Sequence, residues 1–284
     1  MTTTTAVEVI KNAKLDWNVE ALPLFRGEGV KQAPISSHKA IVRSDNQSML
    51  GIVGTGYTIV QNNAAFGWFD NVVQSGKAEY VGAGYFGNGH SVWIKARVGN
   101  AEVAKGDIVS WELLLTNAHD GSGACRTRLV PLRLVCTNGL VAVDTESQTT
   151  VSIRHTKNAL VSLNAATEVL QHAQLQIEAT RQVYVAMAKA QVTAEQTKRV
   201  IEAVFAQERR QELVLDLFEG QGVGLDLEGV RGTAWGLYNA MTEAVDHHLI
   251  NTSDADKHLE RIMVGTGAQL KGKALNVIRE LVLA

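Results

Sequence analysis

Past Asn158 the spacing of apolar residues changes from about two to near 3.6, and this switch constrains the fold more than any other feature of the chain. Before it, short runs rich in β-branched and aromatic residues alternate with turn residues. Tyr80 to Phe86 and His90 to Val98 flank Gly87-Asn88-Gly89, which supplies the positive-φ positions a hairpin turn needs. His38 to Arg43, Met49 to Val53, Ile108 to Thr116, Ala124 to Val130 and Val151 to His155 read as further strands, with turns at Ser44–Gln47 and His119–Gly123. After the switch, Asn158 to Ala190 reads as one long helix, followed by helices over Thr193 to Ala206, Arg209 to Phe218, Thr233 to His248, Asp254 to Val264 and Leu270 to Leu283. Thr193 and Gln196 form a capping box, and Gly220 to Gly232 is a loop.

The expected fold class is therefore α+β: an antiparallel β-sheet with a β-hairpin and packed helices in the first half, then a helical second half. The expected boundary separates residues 1–157 from 158–284. Within the first half, Ala6 to Leu15 has helical spacing that Pro23, Gly27 and Gly29 break, and Asn62 or Asn63 caps a helix carrying Phe66 and Phe69. Pro131 suits the first turn of a helix, so Leu132 to Val141 is expected to be a short one.

Composition narrows the class. Hydrophobic residues are 45% and charged residues 20% of the 284, which excludes a disordered chain. No run approaches the ~20 apolar residues of a membrane helix, and no basic region followed by an apolar run opens the chain. A cytoplasmic protein is expected. Cys125 and Cys136 are the only cysteines, and their spacing suits neither a disulfide framework nor zinc, so buried thiols are expected. Net charge is −2. Residues 1–157 hold 15 Lys+Arg against 13 Asp+Glu, and residues 158–284 hold 12 against 16, so an anion-binding surface must be a local patch of the first half.

Four groups of residues could carry chemistry. His119, Asp120 and Ser122 are the residue types of a hydrolytic triad, but they sit together in one D-G turn and read as structure. Glu243 and His247 lie one helical turn apart and could share a metal, although no second Glu-x-x-His completes a di-metal bundle. The Gly220–Gly224 and Gly265–Gly267 stretches match neither a dinucleotide nor a Walker A fingerprint. The fourth group is cationic. Lys95 and Arg97 share one face of a hairpin strand with Trp93, Arg126 and Arg128 share a face of the strand after the D-G turn, and Arg133 and Arg154 follow. With Tyr85, Phe86 and Trp111 interleaved, these residues could neutralise phosphates and stack on bases.

Several short stretches together resemble a known family: Leu15-Asp16-Trp17, Arg43-Ser44-Asp45, Leu50 to Gly54, Tyr57 to Asn62, Asn117 to Ser122, Pro131 to Asn138, Ser152 to Thr156, Thr233 to Gly236 with Asn239, Glu243 to His248, and Gly265 to Gly267. In this order, over about residues 15 to 280, they look like the DUF932 phage/plasmid-like proteins. That family has no assigned function, so the resemblance implies a phage or plasmid context rather than a chemistry. The hairpin, further antiparallel strands and following helix also suggest remote kinship to Rad52-type single-strand annealing proteins. The expectation is a protein that binds single-stranded DNA and anneals complementary strands, as a homo-oligomeric ring or filament, with no cofactor, no metal and no membrane. Lys95, Arg97, Arg126, Arg128, Arg133 and Arg154 would contact the DNA. The alternatives are a phage or plasmid protein-interaction or anti-defence factor without DNA binding, and an enzyme with a metal on Glu243 and His247.

Overall fold

The structure is a computed structural model that describes residues 5–27, 29, 32–67, 69–142, 151–157, 166–250, 252 and 254–282. Two antiparallel sheets occupy the first half and helices fill the second, as the change of period predicts. The first sheet has the order β1 (Val19–Arg26), β2 (Ala33–Arg43), β3 (Met49–Gly54), and the second runs β4 (Glu79–Phe86), β5 (Ser91–Ala104), β6 (Asp107–Ala118), β7 (Cys125–Arg133), β8 (Val151–Ile153). Short helices α1 (Ala6–Asn12), α2 (Asn62–Gly67) and α3 (Phe69–Val72) accompany them. The later helices are α4 (Ala166–Lys189), α5 (Ala194–Val204), α6 (Glu208–Asp216), α7 (Ala234–Glu243), α8 (Ala255–Met263) and α9 (Thr266–Val282). Of the long helix expected over residues 158–190, residues 158–165 lie outside the described residues.

Two elements differ from the sequence reading. β1 occupies a stretch read only as a helix break. Pro23 is accommodated because the pairing register shifts between Pro23 and Leu24, so its missing N–H interrupts no regular ladder. The helix expected at Leu132 to Val141 is instead the end of β7 and a return turn. Arg133 N–H donates to the Asn138 carbonyl (3.0 Å), Leu140 N–H to Pro131 (2.7 Å), and Thr137 takes a left-handed φ of 56°. The alternation of buried and exposed positions continues through Leu129, Pro131 and Arg133, so strand periodicity outweighed the local preference of proline.

The chain forms two compact units. Unit 1 comprises Met1–Val98, Leu113–Arg128 and Gln148–His172, and unit 2 comprises Gly99–Glu112, Leu129–Ser147 and Ala173–Ala284. In unit 1 the core contains Leu15, Ile41, Val60, Phe66, Phe69, Val92 and Ile94, all fully buried. The tip of the β4–β5 hairpin lies on the first sheet. Gly87 and Gly89 take positive φ (56° and 99°), and a Cβ on Gly89 would meet both Arg43 and Trp17 at 3.1 Å. That close approach lets Arg43 Nη1 donate to the Asn88 carbonyl (3.1 Å) and Asn88 Nδ2 to the Met49 carbonyl (2.8 Å).

Unit 2 is organised around α7, all ten of whose residues are buried. A helix buried on every side belongs at the centre of a domain, and its polar Asn239, Thr242 and Glu243 are held by hydrogen bonds. Thr233 caps it by accepting from Gly236 N–H, and Trp235 and Tyr238 pack on Tyr184 of α4 at ring separations of 4.8 and 6.1 Å. Trp111 stacks on the same tyrosine at 6.0 Å. The Thr193–Gln196 capping box forms as expected and starts α5. Cys125 and Cys136 are both buried and unpaired, and burial pushes the Cys125 thiol up to about 12. No described helix is long and apolar enough to cross a membrane.

Candidate nucleic-acid interface

The expected cations separate into three environments. Arg126 and Arg128 lie on the outward parity of β7, where Cys125, Thr127 and Leu129 point inward. Arg126 stands opposite Ser152 of β8, and Arg154, also exposed, follows directly after that strand. Among the described residues, none of these three guanidinium groups has an ion-pair partner. Partial burial, and then the neighbouring Arg126 charge, pull the Arg128 pKa below its ordinary value. A like-charged pair held on one strand face, with no carboxylate among the described residues to neutralise it, favours an anion from outside the chain.

Lys95 and Arg97 lie on the outward parity of β5 with Trp93, as strand alternation predicts; Val92, Ile94 and Ala96 alternate inward. Arg97 is held by Glu79 at 2.7 Å across the hairpin. The Trp93 indole lies against β4, where a Cβ on Gly84 would meet it at 2.8 Å, so the glycine makes room for the ring. Trp93 and Tyr85 are half-buried, whereas Phe86 and Trp111 belong to cores. The sequence reading missed Arg43. Its guanidinium lies 4.3 Å from the Trp17 ring centre and holds Asp45 through two hydrogen bonds of 3.0 and 2.7 Å. That pair lowers the Asp45 pKa, and the Arg43 charge stays internal.

Arg133 leaves the set of surface cations. It is completely buried in unit 2, where its Nε and Nη2 donate to the Asp107 carboxylate (2.8 and 2.7 Å) and its other N–H groups reach the carbonyls of Val223 and Gly224 (3.0 and 3.1 Å). Trp235 Nε1 donates to the same carboxylate at 2.8 Å. The expected helix had placed Arg133 on a surface; the strand turns it inward. A second buried pair joins Lys271 Nζ to Asp246 (2.8 Å), whose other oxygen accepts from Gly139 N–H (2.8 Å). Glu243 accepts from Val223 N–H (3.0 Å), and His247 Nε2 lies 2.9 Å from the Asn138 amide. Glu243 and His247 thus serve different partners, and the described residues contain no cluster of three or more metal-ligating side chains.

Unit 1 holds a different internal network, built from residues of the Tyr57–Asn62, Asn117–Ser122 and Ser152–Thr156 stretches. Asn62 was one of two asparagines, with Asn63, expected to cap a helix. Instead its Nδ2 donates to the Leu15 carbonyl (2.9 Å), which turns its Oδ1 toward His119 Nε2 (2.9 Å). The imidazole must then carry its proton on Nε2, leaving the buried Nδ1 lone pair without a partner among the described residues. His155 Nδ1 faces the Thr58 carbonyl (3.1 Å), so that nitrogen is protonated and the buried Nε2 is likewise unpartnered. Tyr57 stacks on His155 at 4.7 Å and donates to the Ala118 carbonyl (2.9 Å). Burial, reinforced by the nearby His155, drives the His119 pKa down to about 3; burial also lowers that of His155. Both rings are neutral acceptors at neutral pH. Asp120 accepts from Ser122 N–H (2.9 Å), and His119 is spent on Asn62, so this turn lacks the linkage of a hydrolytic triad. A Cβ on Gly51 would come within 2.6 Å of Asp120 Cα, which explains a glycine inside β3.

The fold and these two internal networks define an α+β protein whose distinctive polar residues are mostly buried. The family model described as "Domain of unknown function (DUF932)" matches residues 49–263, and the chain belongs to that family. No curated protein and no solved structure matches the chain.

Proposed function

We propose that the chain binds single-stranded DNA through the outward faces of its second sheet and promotes annealing of complementary strands in a phage or plasmid. The observation that carries this reading is the set Arg126, Arg128 and Arg154: two cations on β7 and one just past β8, in unit 1, with no ion-pair partner among the described residues. Lys95 and Arg97, beside Trp93, extend the contact on β5, with Arg97 exchanging Glu79 for phosphate. Annealing makes and breaks no covalent bond, so the reading requires no cofactor. A homo-oligomeric ring or filament would repeat the face along a strand, which a protein of near-neutral charge needs in order to hold a polyanion.

The test is fluorescence anisotropy of a labelled oligothymidylate at several salt concentrations, with annealing of complementary labelled strands followed alongside. Expected is salt-dependent binding whose log–log slope falls by about 0.7 for each of Arg126→Ala, Arg128→Ala and Arg154→Ala. Light scattering with and without oligonucleotide measures the assembly. Absence of binding, or binding indifferent to salt and to all three substitutions, overturns the proposal and leaves a protein-interaction role.

A further inference from the structure

A separate feature of unit 2 has no part in that reading. Helices α5 and α6, with the turn after α6 and Gly232, enclose a cavity of about 560 Å³. Its apolar floor includes Ile201, Leu215 and Phe218. Leu215 is 39% exposed and faces the cavity. The rim is acidic: Glu202 comes from α5, Glu208 and Glu212 from α6, and Glu219 from the following turn. Among the described residues Lys198 is the single cation of the lining, and it lies 3.8 Å from Glu202 with its side chain 76% exposed. α6 divides its charges by face. Arg209 and Arg210 line a different cavity with Leu213 and His248, so they do not neutralise the rim.

We propose that this groove is a docking site for a cationic amphipathic helix of a partner protein. An apolar floor flanked by two helices suits the apolar stripe of a third, anchored by side chains one turn apart. The rim selects the sign of the partner's polar face: four carboxylates against one lysine attract Lys and Arg and repel nucleic acid. Charge complementarity therefore distinguishes this surface from the cationic strands of unit 1.

The probe is a fluorescently labelled peptide of Leu and Lys patterned as an amphipathic helix, titrated with the full chain. Two controls accompany it: the same composition scrambled to remove the apolar face, and the same pattern with Glu in place of Lys. Expected is saturable binding of the first peptide, with each control weaker by about tenfold or more. Glu208→Lys with Glu212→Lys should weaken it about tenfold and restore the Glu peptide, and Leu215→Ser should weaken it about fivefold. These side chains are exposed, and unchanged circular dichroism confirms that the variants fold. Equal binding of the patterned and scrambled peptides, indifference to both variants, or no saturable binding overturns the proposal. So does self-association abolished by Leu215→Ser, which would assign the groove to a second copy of the chain.

Discussion

The two units bury their polar residues in opposite ways. In unit 2 two buried carboxylates are matched by buried cations: Asp107 with Arg133, joined by Trp235, and Asp246 with Lys271, joined by the Gly139 N–H. In unit 1 the network around His119 and His155 is neutral, and among the described residues each of these imidazoles keeps a buried lone pair with no partner. A buried charge must be matched or it costs several kcal/mol, whereas an unmatched neutral acceptor costs only about 1–3 kcal/mol and is tolerated. The first arrangement reads as architecture. The second leaves unit 1 sensitive to acid.

The strongest way to break this contrast is Asp107→Ala, which leaves Arg133 charged and buried. It should cost about 3–5 kcal/mol in urea unfolding, whereas replacing both partners by apolar residues should cost much less. Acid is the corresponding challenge to unit 1. His119 titrates near 6.5 unfolded but about 3 folded, so its contribution is intact above pH 6.5 and is lost as pH falls toward 3. The loss should reach about 1.4 kcal/mol per pH unit inside that window, with His155 adding in the same direction. A His119→Gln variant should show a shallower acid limb in denaturation followed across that range. Gly51→Ala drives a methyl into Asp120 and should cost about 1–3 kcal/mol, read as a lowered urea midpoint. The smallest stability effect belongs to the outward face. Arg126→Ala with Arg128→Ala should change stability by no more than about 0.5 kcal/mol while reducing oligonucleotide affinity, which separates binding from folding.

Much of the fold was legible because it is local. Gly87-Asn88-Gly89 marks its hairpin because two positions need positive φ. The Thr193 box marks its helix because both halves of the cap lie three residues apart. β1 was hidden because a proline and flanking glycines resemble a loop until a register shift absorbs the missing N–H. The cationic face was half legible: parity put Arg126 and Arg128 on one side of a strand, and Lys95 and Arg97 on one side of another. Arg133 was misplaced because Pro131 favours a helix start as well as a strand position, and only the pairing with Asn138 separates the two.

By itself, then, the sequence determined most element types, the hairpin and capping turns and the side of a recognised strand on which a residue falls, since hydrophobic period and backbone preference act over a few neighbours. Which side is covered is a tertiary matter. Asp107 meets Trp235 across 128 residues of chain, Asp246 meets Gly139 across 107, and His119 meets Asn62 across 57. No local rule couples such positions. Folding brought them together, and burial then decided that Arg133 is an internal counter-ion while Arg126 remains a surface cation, because a guanidinium withdrawn from water persists only where a carboxylate and carbonyls replace its hydration.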